Sequence, residues 1–357
     1  MSAFGTTPFG STNSGELSER ERQVLEAVIH SYVATAEPAG SRTLSRRFGL
    51  GISPATIRNT MSDLEEKGFL FHPHTSAGRI PTDKAYRVYV DSLMRVDPLS
   101  GEQRRRLQME IESGSSAIEN ILRRAAQSLG VLTQELGVAL GPRLERATLQ
   151  KVELVRVASD RLLMVLGLSG GAVRTIFVEV PGVIADEALV DVTIVLNERL
   201  AGLTLDQVRS GLASRLRDVS ASPGAAELLN IFVQEGEQVF GRAAEPVDTV
   251  VLGQPSLLAD QPEFASGERL RQLIELTETR QQLASLLGTR AGGKGLSITI
   301  GNEHGDPRLE PFTVVTAEYH VGSLSGVIGV IGPTRMPYDK VIALVDHTSQ
   351  LVSDLLC

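Results

Sequence analysis

The stretch of sequence that decides the fold reads SPATIRNTMSDLEEKG over residues 53–68. Ser53 is a favoured N-cap residue, and Pro54 follows at the first helical position, where a missing backbone N–H costs nothing. Three apolar residues share one face at i, i+4 and i+7, the spacing of a buried stripe: Ile57, Met61 and Leu64. Because Gly68 ends the pattern, the sequence predicts a short, capped helix with one buried face.

Two further helices are predicted before this stretch. Ser18 and Glu21 have the spacing of a capping box, which marks the start of the first helix. Ser41 is interpreted as the cap of a second helix, and Gly49 closes it. The second helix, a short turn and the helix after Ser53 together have the order of a helix-turn-helix.

A hairpin is predicted to follow. Residues 69–71 and 79–80 have the pattern of short strands, with a turn at 72–78 between them, and Thr82 caps another helix. Helix, helix, turn, helix and hairpin are the elements of a winged helix-turn-helix. We assign this domain to residues 16–95.

Charge is distributed unevenly along the chain. The net charge of −8 argues against a nucleic-acid partner for the chain as a whole. Residues 41–60 nevertheless contain no acid and four arginines: Arg42, Arg46, Arg47 and Arg58. A local basic face on an acidic protein is typical of a DNA-binding module joined to a regulatory body. An ordinary solvated helical surface is the alternative.

The solvent side of the helix after Ser53 has the composition of a recognition helix. Its three acids, Asp63, Glu65 and Glu66, lie in its second half, whereas the first half would enter the major groove. Arginine suits the edge of guanine and asparagine that of adenine. The candidate DNA-binding residues here are Ser41, Arg42, Ser53, Ala55, Thr56, Arg58, Asn59 and Ser62. An amphipathic helix with a merely solvated face remains the alternative.

The predicted wing adds further candidates. It contains no acid, and a wing lies along the backbone or minor groove, where hydroxyls and cations bind phosphate. Its candidate DNA-binding residues are His74, Thr75, Ser76 and Arg79. His72 and His74 alone make a poor metal site, because no third ligand stands nearby in the sequence. We therefore expect no metal.

The remainder of the chain predicts an α+β regulatory domain interrupted by a mostly helical insertion. Helices are expected at 102–113, 116–136, across most of 186–243, at 267–288 and at 337–356. Strands are expected at 151–157, 161–168, 173–180, 249–252, 296–301, 312–320 and 324–331, the first three as an antiparallel meander. Residues 1–15, rich in Gly, Ser and Thr, have the composition of a disordered tail.

Several classes of protein are disfavoured. No apolar run approaches the roughly 18 residues that span a bilayer, so no membrane partner is expected. Cys357 is the only cysteine, which excludes an internal disulfide and fits a cytoplasmic location. The glycines of 326–332 lack the Lys-Ser/Thr of a phosphate-binding loop and are interpreted as allowing a strand to pack tightly. No catalytic residue or cofactor is expected, and we do not interpret the chain as an enzyme.

Two separated motifs carry a resemblance to a known family. The first comprises Gly40-Ser41-Arg42, Ser53 to Asn59, Met61 to Glu65, Gly68-Phe69, His74 to Arg79 and Pro81 to Arg87, and the second is GVIGVIGPTRMPY over 326–338. With these, the chain closely resembles the HrcA family of heat-inducible transcription repressors. The similarity covers nearly the whole chain after residue 15.

The resemblance implies a homodimer with three domains. They are the winged helix-turn-helix (16–95), a GAF-like domain in two segments (96–182 and 291–357) and an inserted dimerisation region (183–290). It also implies a double-stranded DNA partner, an inverted-repeat operator of chaperone operons, with loss of activity on heating and assistance from the GroE chaperonin. A winged-helix repressor controlled by a small ligand in the GAF-like domain is the alternative.

Overall fold

The computed structural model describes residues 17–73, 78–113, 118–142, 144–182, 184–217, 223–244, 250–290, 295–322 and 324–356. The tail at 1–15 and the wing residues His74, Thr75 and Ser76 lie outside them. The chain divides into two compact units. Unit 1 comprises Met1–Ala139, Val250–Glu318 and Ile328–Leu351, and unit 2 comprises Leu140–Thr249, Tyr319–Val327 and Val352–Cys357. Helices and sheets are mixed, as the predicted α+β class requires.

The helices and strands have the following bounds. The helices are α1 (Glu19–Thr35), α2 (Ser41–Phe48), α3 (Pro54–Glu66), α4 (Asp83–Val88), α5 (Gly101–Glu112), α6 (Ile118–Thr133), α7 (Asp186–Leu200), α8 (Leu205–Leu216), α9 (Pro223–Ala244), α10 (Ser256–Ala259), α11 (Gly267–Glu278), α12 (Arg280–Gly288) and α13 (Tyr338–Leu356). The strands are β1 (Leu70–Phe71), β2 (Ile80–Pro81), β3 (Leu136–Leu140), β4 (Leu149–Ala158), β5 (Arg161–Leu168), β6 (Val173–Glu179), β7 (Val250–Leu252), β8 (Leu296–Ile300), β9 (Phe312–Val321) and β10 (Leu324–Pro333).

Helices α1 to α4 and the hairpin β1–β2 form the first part of unit 1, which we call the N-terminal module (residues 17–93). The capping box of α1 is confirmed, since Ser18 and Glu21 each accept a hydrogen bond from the other's backbone N–H. The assignment of Ser41 as the cap of α2 is wrong. Gly40 holds the N-cap position without a side-chain hydrogen bond, and Ser41 is the first helical residue.

The hairpin is joined by a third segment of chain. Strands β1 and β2 pair antiparallel, with Phe71 opposite Ile80. Next to them, Ala39 and Arg79 exchange two backbone hydrogen bonds of 2.9 and 3.0 Å. The sequence around Ala39 predicts only a helix break. These bonds tie the α1–α2 connection to the hairpin.

The principal sheet has five strands in the order β7-β3-β10-β9-β8, with β8 and β9 antiparallel. Strand β3 was missed by the sequence analysis, which continued a helix to residue 136. All five residues of β3 are buried, and a short, wholly apolar run lacks the period that separates strand from helix. The helix expected at 267–288 is interrupted at Thr279, between α11 and α12.

Unit 2 contains the predicted antiparallel meander, in the order β4-β5-β6. One face of this sheet packs against α7, α8 and α9 around a shared apolar core that includes Val152, Met164 and Phe232. The family resemblance implies that the meander belongs to the GAF-like segment 96–182 and the helices to the insertion. The structure instead gives the meander and these helices one common core.

Three glycines allow β10 to lie unusually close to its surroundings. A Cβ on Gly326 would stand 2.4 Å from the Tyr319 hydroxyl, and one on Gly329 would stand 2.0 Å from the Val315 carbonyl oxygen. A Cβ on Gly332 would stand 2.2 Å from a Glu135 carboxylate oxygen. Real Cβ atoms do not approach so closely, so the interpretation of these glycines as packing residues is confirmed.

We predict that Gly329→Ala destabilises unit 1 strongly. The new methyl group meets backbone atoms of β9, which cannot rotate away, and overpacking of this kind costs about 1–3 kcal/mol or more. Gly267→Ala is the matched control, because no atom lies within 4 Å of its Cβ position at the start of α11. Thermal unfolding should show a lower transition temperature for Gly329→Ala alone. Equal transitions in the two variants would contradict the packing role of β10.

Candidate nucleic-acid interface

Helix α3 is fixed in place by its cap and its buried face. The Ser53 Oγ accepts a hydrogen bond from the Thr56 backbone N–H at 3.1 Å, and Pro54 occupies the first helical position, as predicted. The buried face consists of Ile57, Thr60, Met61 and Leu64. Thr60 was not predicted there, and its hydroxyl is satisfied by donating to the Thr56 carbonyl oxygen at 3.1 Å. One side of α3 is therefore buried in the core.

The opposite side of α3 presents the predicted residues to solvent. Ser53, Ala55, Arg58 and Asn59 are exposed, whereas Thr56 and Ser62 are half-buried. Within the described part of the chain, no hydrogen bond or ion pair engages the side chain of Arg58 or Asn59. A guanidinium and a carboxamide with free donors and acceptors can therefore bind the edges of bases or phosphates.

Helix α2 adds positive charge beside α3, against which it packs. Its exposed arginines are Arg42, Arg46 and Arg47. Ser41 is half-buried in the first turn. The turn between the two helices needs glycine at Gly49 and Gly51, whose φ values of 56° and 67° lie in the left-handed region. Arg46 and Arg47 were not among the predicted site residues, although both belong to the acid-free basic segment 41–60.

The structure gives Arg79 a protein partner. Its guanidinium lies 2.7 Å from a Glu65 carboxylate oxygen, and only 18% of its side chain is exposed. This ion pair joins the hairpin to the second half of α3 and neutralises one of the three acids there. The expected phosphate contact of Arg79 would compete with that pair. No placement is described for the other wing candidates, His74, Thr75 and Ser76.

Two other features, a metal cluster and a membrane span, are absent from the described residues. Across those ranges, no three His, Cys, Asp or Glu side chains are grouped so as to hold a metal ion. None of the helices described is long and apolar enough to cross a membrane. What the N-terminal module does present is a solvent face of α2 and the first half of α3 that carries arginines, small polar groups and no acid.

Comparisons with known proteins agree on one family. Residues 119–342 match the family model described as the HrcA protein C terminal domain. A protein of Chlorobium chlorochromatii (strain CaD3), named heat-inducible transcription repressor HrcA, is 38% identical over 347 residues, covering 96% of this chain and 98% of that protein. A protein of the same name from Geobacter sulfurreducens is 38% identical over 348 residues, with the same two coverages. These relatives are named as repressors and not as enzymes.

One solved structure has the same fold over almost the whole length. It is a crystal structure described only as that of a hypothetical protein, and it superposes with a TM-score of 0.59. The two chains are 24% identical, and the match covers 96% of this chain and 99% of the other. This similarity concerns the fold alone.

Proposed function

The chain belongs to the HrcA family of heat-inducible transcription repressors, and from this premise we propose that it represses transcription in the cytoplasm by binding double-stranded DNA. One observation carries the proposal: the exposed first half of α3 has no acid and bears Arg58 and Asn59, whose side chains have no hydrogen bond or ion pair with any described residue. In this proposal the N-terminal module is a winged helix-turn-helix whose α3 enters the major groove. The arginines of α2 lie toward the phosphates.

We predict that Arg58→Ala and Asn59→Ala each weaken specific DNA binding by about 1–3 kcal/mol, because each removes a contact with a base edge. Folding should be unchanged, since both side chains are exposed and neither bonds to a described residue. Arg20→Ala, an exposed arginine on α1, is the matched control for the loss of one positive charge. Titration of a duplex from upstream of a chaperone gene, against a scrambled duplex, measures the effect. If both variants bind the specific duplex as tightly as the control does, α3 is not the helix that contacts the base edges.

The effect expected for Arg79→Ala differs from that expected for Arg58→Ala and Asn59→Ala. As a phosphate contact, it would contribute equally to specific and random DNA, with a shallower salt dependence after Arg79→Ala. Because Arg79 also pairs with Glu65, its removal should disturb the attachment of the hairpin to α3. Titration of specific and random DNA, measured beside thermal unfolding of Arg79→Ala, separates the phosphate contact from the attachment of the hairpin.

We propose further that the binding unit is a homodimer formed through unit 2, which contains part of the dimerisation region expected at 183–290 together with the meander. The face of the meander that α7–α9 leave uncovered has an apolar centre, where Val155, Leu163 and Phe177 lie opposite one another across the three strands. Charged residues flank this centre, among them the exposed ion pair of Lys151 and Glu153. Val157 and Val173 extend this face and are exposed. Exposed apolar patches of this kind mark protein interfaces. We propose that a second copy of this chain binds this face, because an isologous dimer presents two symmetry-related modules to an inverted repeat.

We predict that Phe177→Asp converts the dimer to monomer. Phe177 is 56% exposed, so the substitution leaves the core intact while it introduces a charge into the apolar face. Operator affinity should fall by roughly a hundredfold, since the second module no longer binds at a high effective concentration. Met109→Asp is the control, a 65% exposed apolar residue on α5 in unit 1. Light scattering that shows Phe177→Asp to be a dimer would contradict this interface.

The remaining parts of the proposal concern regulation. We infer that the five-stranded sheet is the core of the GAF-like domain, and that heat and the GroE chaperonin control the repressor. The chain has 34 glycines, no tryptophan and 4% aromatic residues, so few large side chains contribute to burial. The sheet also joins β3 and β7 to β8–β10, strands far apart in sequence, which favours slow folding with exposed intermediates.

We predict that DNA binding is lost modestly above growth temperature and that chaperonin with ATP raises the fraction recovered. The test is to heat the protein, cool it with or without chaperonin, and measure operator binding. A heat-inactivated mixture with chaperonin but no ATP is the control. Equal and complete recovery with and without chaperonin would contradict GroE assistance and favour the small-ligand alternative, while the DNA-binding proposal would stand.

A further inference from the structure

Arg87, on α4, attaches the N-terminal module to the turn that follows β8. Its Nε donates to Glu303 Oε1 at 2.7 Å, a second nitrogen reaches the other carboxylate oxygen, and Nη2 also donates to the Ile298 carbonyl oxygen at 2.9 Å. Only 15% of the side chain is exposed. A bidentate arginine–carboxylate pair fixes direction as well as distance.

The same turn binds α4 at a second residue. The backbone N–H and the side-chain amide of Asn302 both donate to Asp83 Oδ2, each at 3.0 Å. The preceding residue, Gly301, has φ 53°, and a Cβ there would stand 2.0 Å from the same oxygen. The approach of this turn to α4 therefore requires glycine at that position.

Arg335 attaches the other side of the module. Its guanidinium pairs with both carboxylate oxygens of Glu263, and its Nη1 donates to the Val33 carbonyl oxygen at 2.8 Å. Val33 lies in the last turn of α1, where carbonyl groups lack helical partners and a cation is favoured. The hydrogen bond with Glu263 raises the pKa of Arg335. This side chain is also only 15% exposed.

The two arginines act at separate points of the module, one on α4 and one at the end of α1. Between them, Tyr86 is buried and packs against Tyr338 with ring centroids 5.7 Å apart. Two directional attachments on different helices restrict rotation of the module, whereas one apolar contact would allow it to pivot. None of these residues lies on the exposed face of α3, so none is placed to contact a base.

We propose that Arg87 and Arg335 are positioning residues: they fix the orientation of α3 against the remainder of unit 1, and this orientation is one determinant of the half-site spacing that the repressor accepts. This inference rests on the proposed function, since it needs a dimer that reads an inverted repeat. Each added base pair moves one half-site by about a tenth of a helical turn. A rigidly held module therefore favours one spacing, and a loosely held module accepts several.

The experiment is a series of inverted-repeat duplexes whose central spacer changes one base pair at a time, together with a single half-site. Arg87→Ala and Arg335→Ala should keep the wild-type affinity for the half-site. Their affinity for the optimal spacer should fall roughly tenfold, while that for offset spacers stays unchanged, because the coupling of two fixed modules is lost. Arg308→Ala is the matched control, since it breaks an exposed ion pair with Asp306 that does not involve the module.

Two comparisons keep the inference falsifiable. Arg87→Lys retains the charge without the bidentate geometry, so it should give an intermediate spacer profile even if Arg87→Ala folds poorly. Variants that keep the wild-type preference among spacers, whatever their absolute affinity, would overturn the positioning role. A wild-type protein that binds inverted repeats no better than scrambled DNA would instead overturn the proposed function, and the positioning role with it.

Discussion

Close packing around β10 is the constraint on which the rest of unit 1 depends. Gly329 and Gly332 leave room for the Val315 carbonyl group and the Glu135 carboxylate where any other residue would place a Cβ. Strand β10 lies between β3 and β9, so its position fixes both neighbours. It ends at Pro333, two residues before Arg335, which binds the end of α1. The position of β10 therefore helps to place Arg335, through which the sheet contacts the N-terminal module.

The local features of the candidate interface could be predicted from the sequence because they depend on neighbours in the chain. The cap at Ser53, the proline after it and the buried stripe of α3 all arise within a few residues. The exposure of Arg58 and Asn59 follows from the same helical period. By contrast, the Arg79–Glu65 pair joins residues whose proximity depends on the path of the hairpin, and no local pattern encodes that path.

The larger organisation was harder to predict for a related reason. Strand β3 is short and apolar on both faces, so its sequence has no period to distinguish it from the end of a helix. The meander was recognised from its alternation, but its partner was not. Alternation shows that one face is buried without showing which element covers it, and the covering helices α7–α9 follow later in the chain.

The central claim is that a symmetric pair of these modules reads DNA sequence through α3. Its most direct test is repeated selection of bound duplexes from a random pool by the full-length wild-type protein, followed by sequencing. The account predicts enrichment of one inverted repeat, with two equal half-sites that contain guanine and adenine at the positions facing Arg58 and Asn59. A pool that stays random through successive rounds, or that converges on a single asymmetric site, would contradict it.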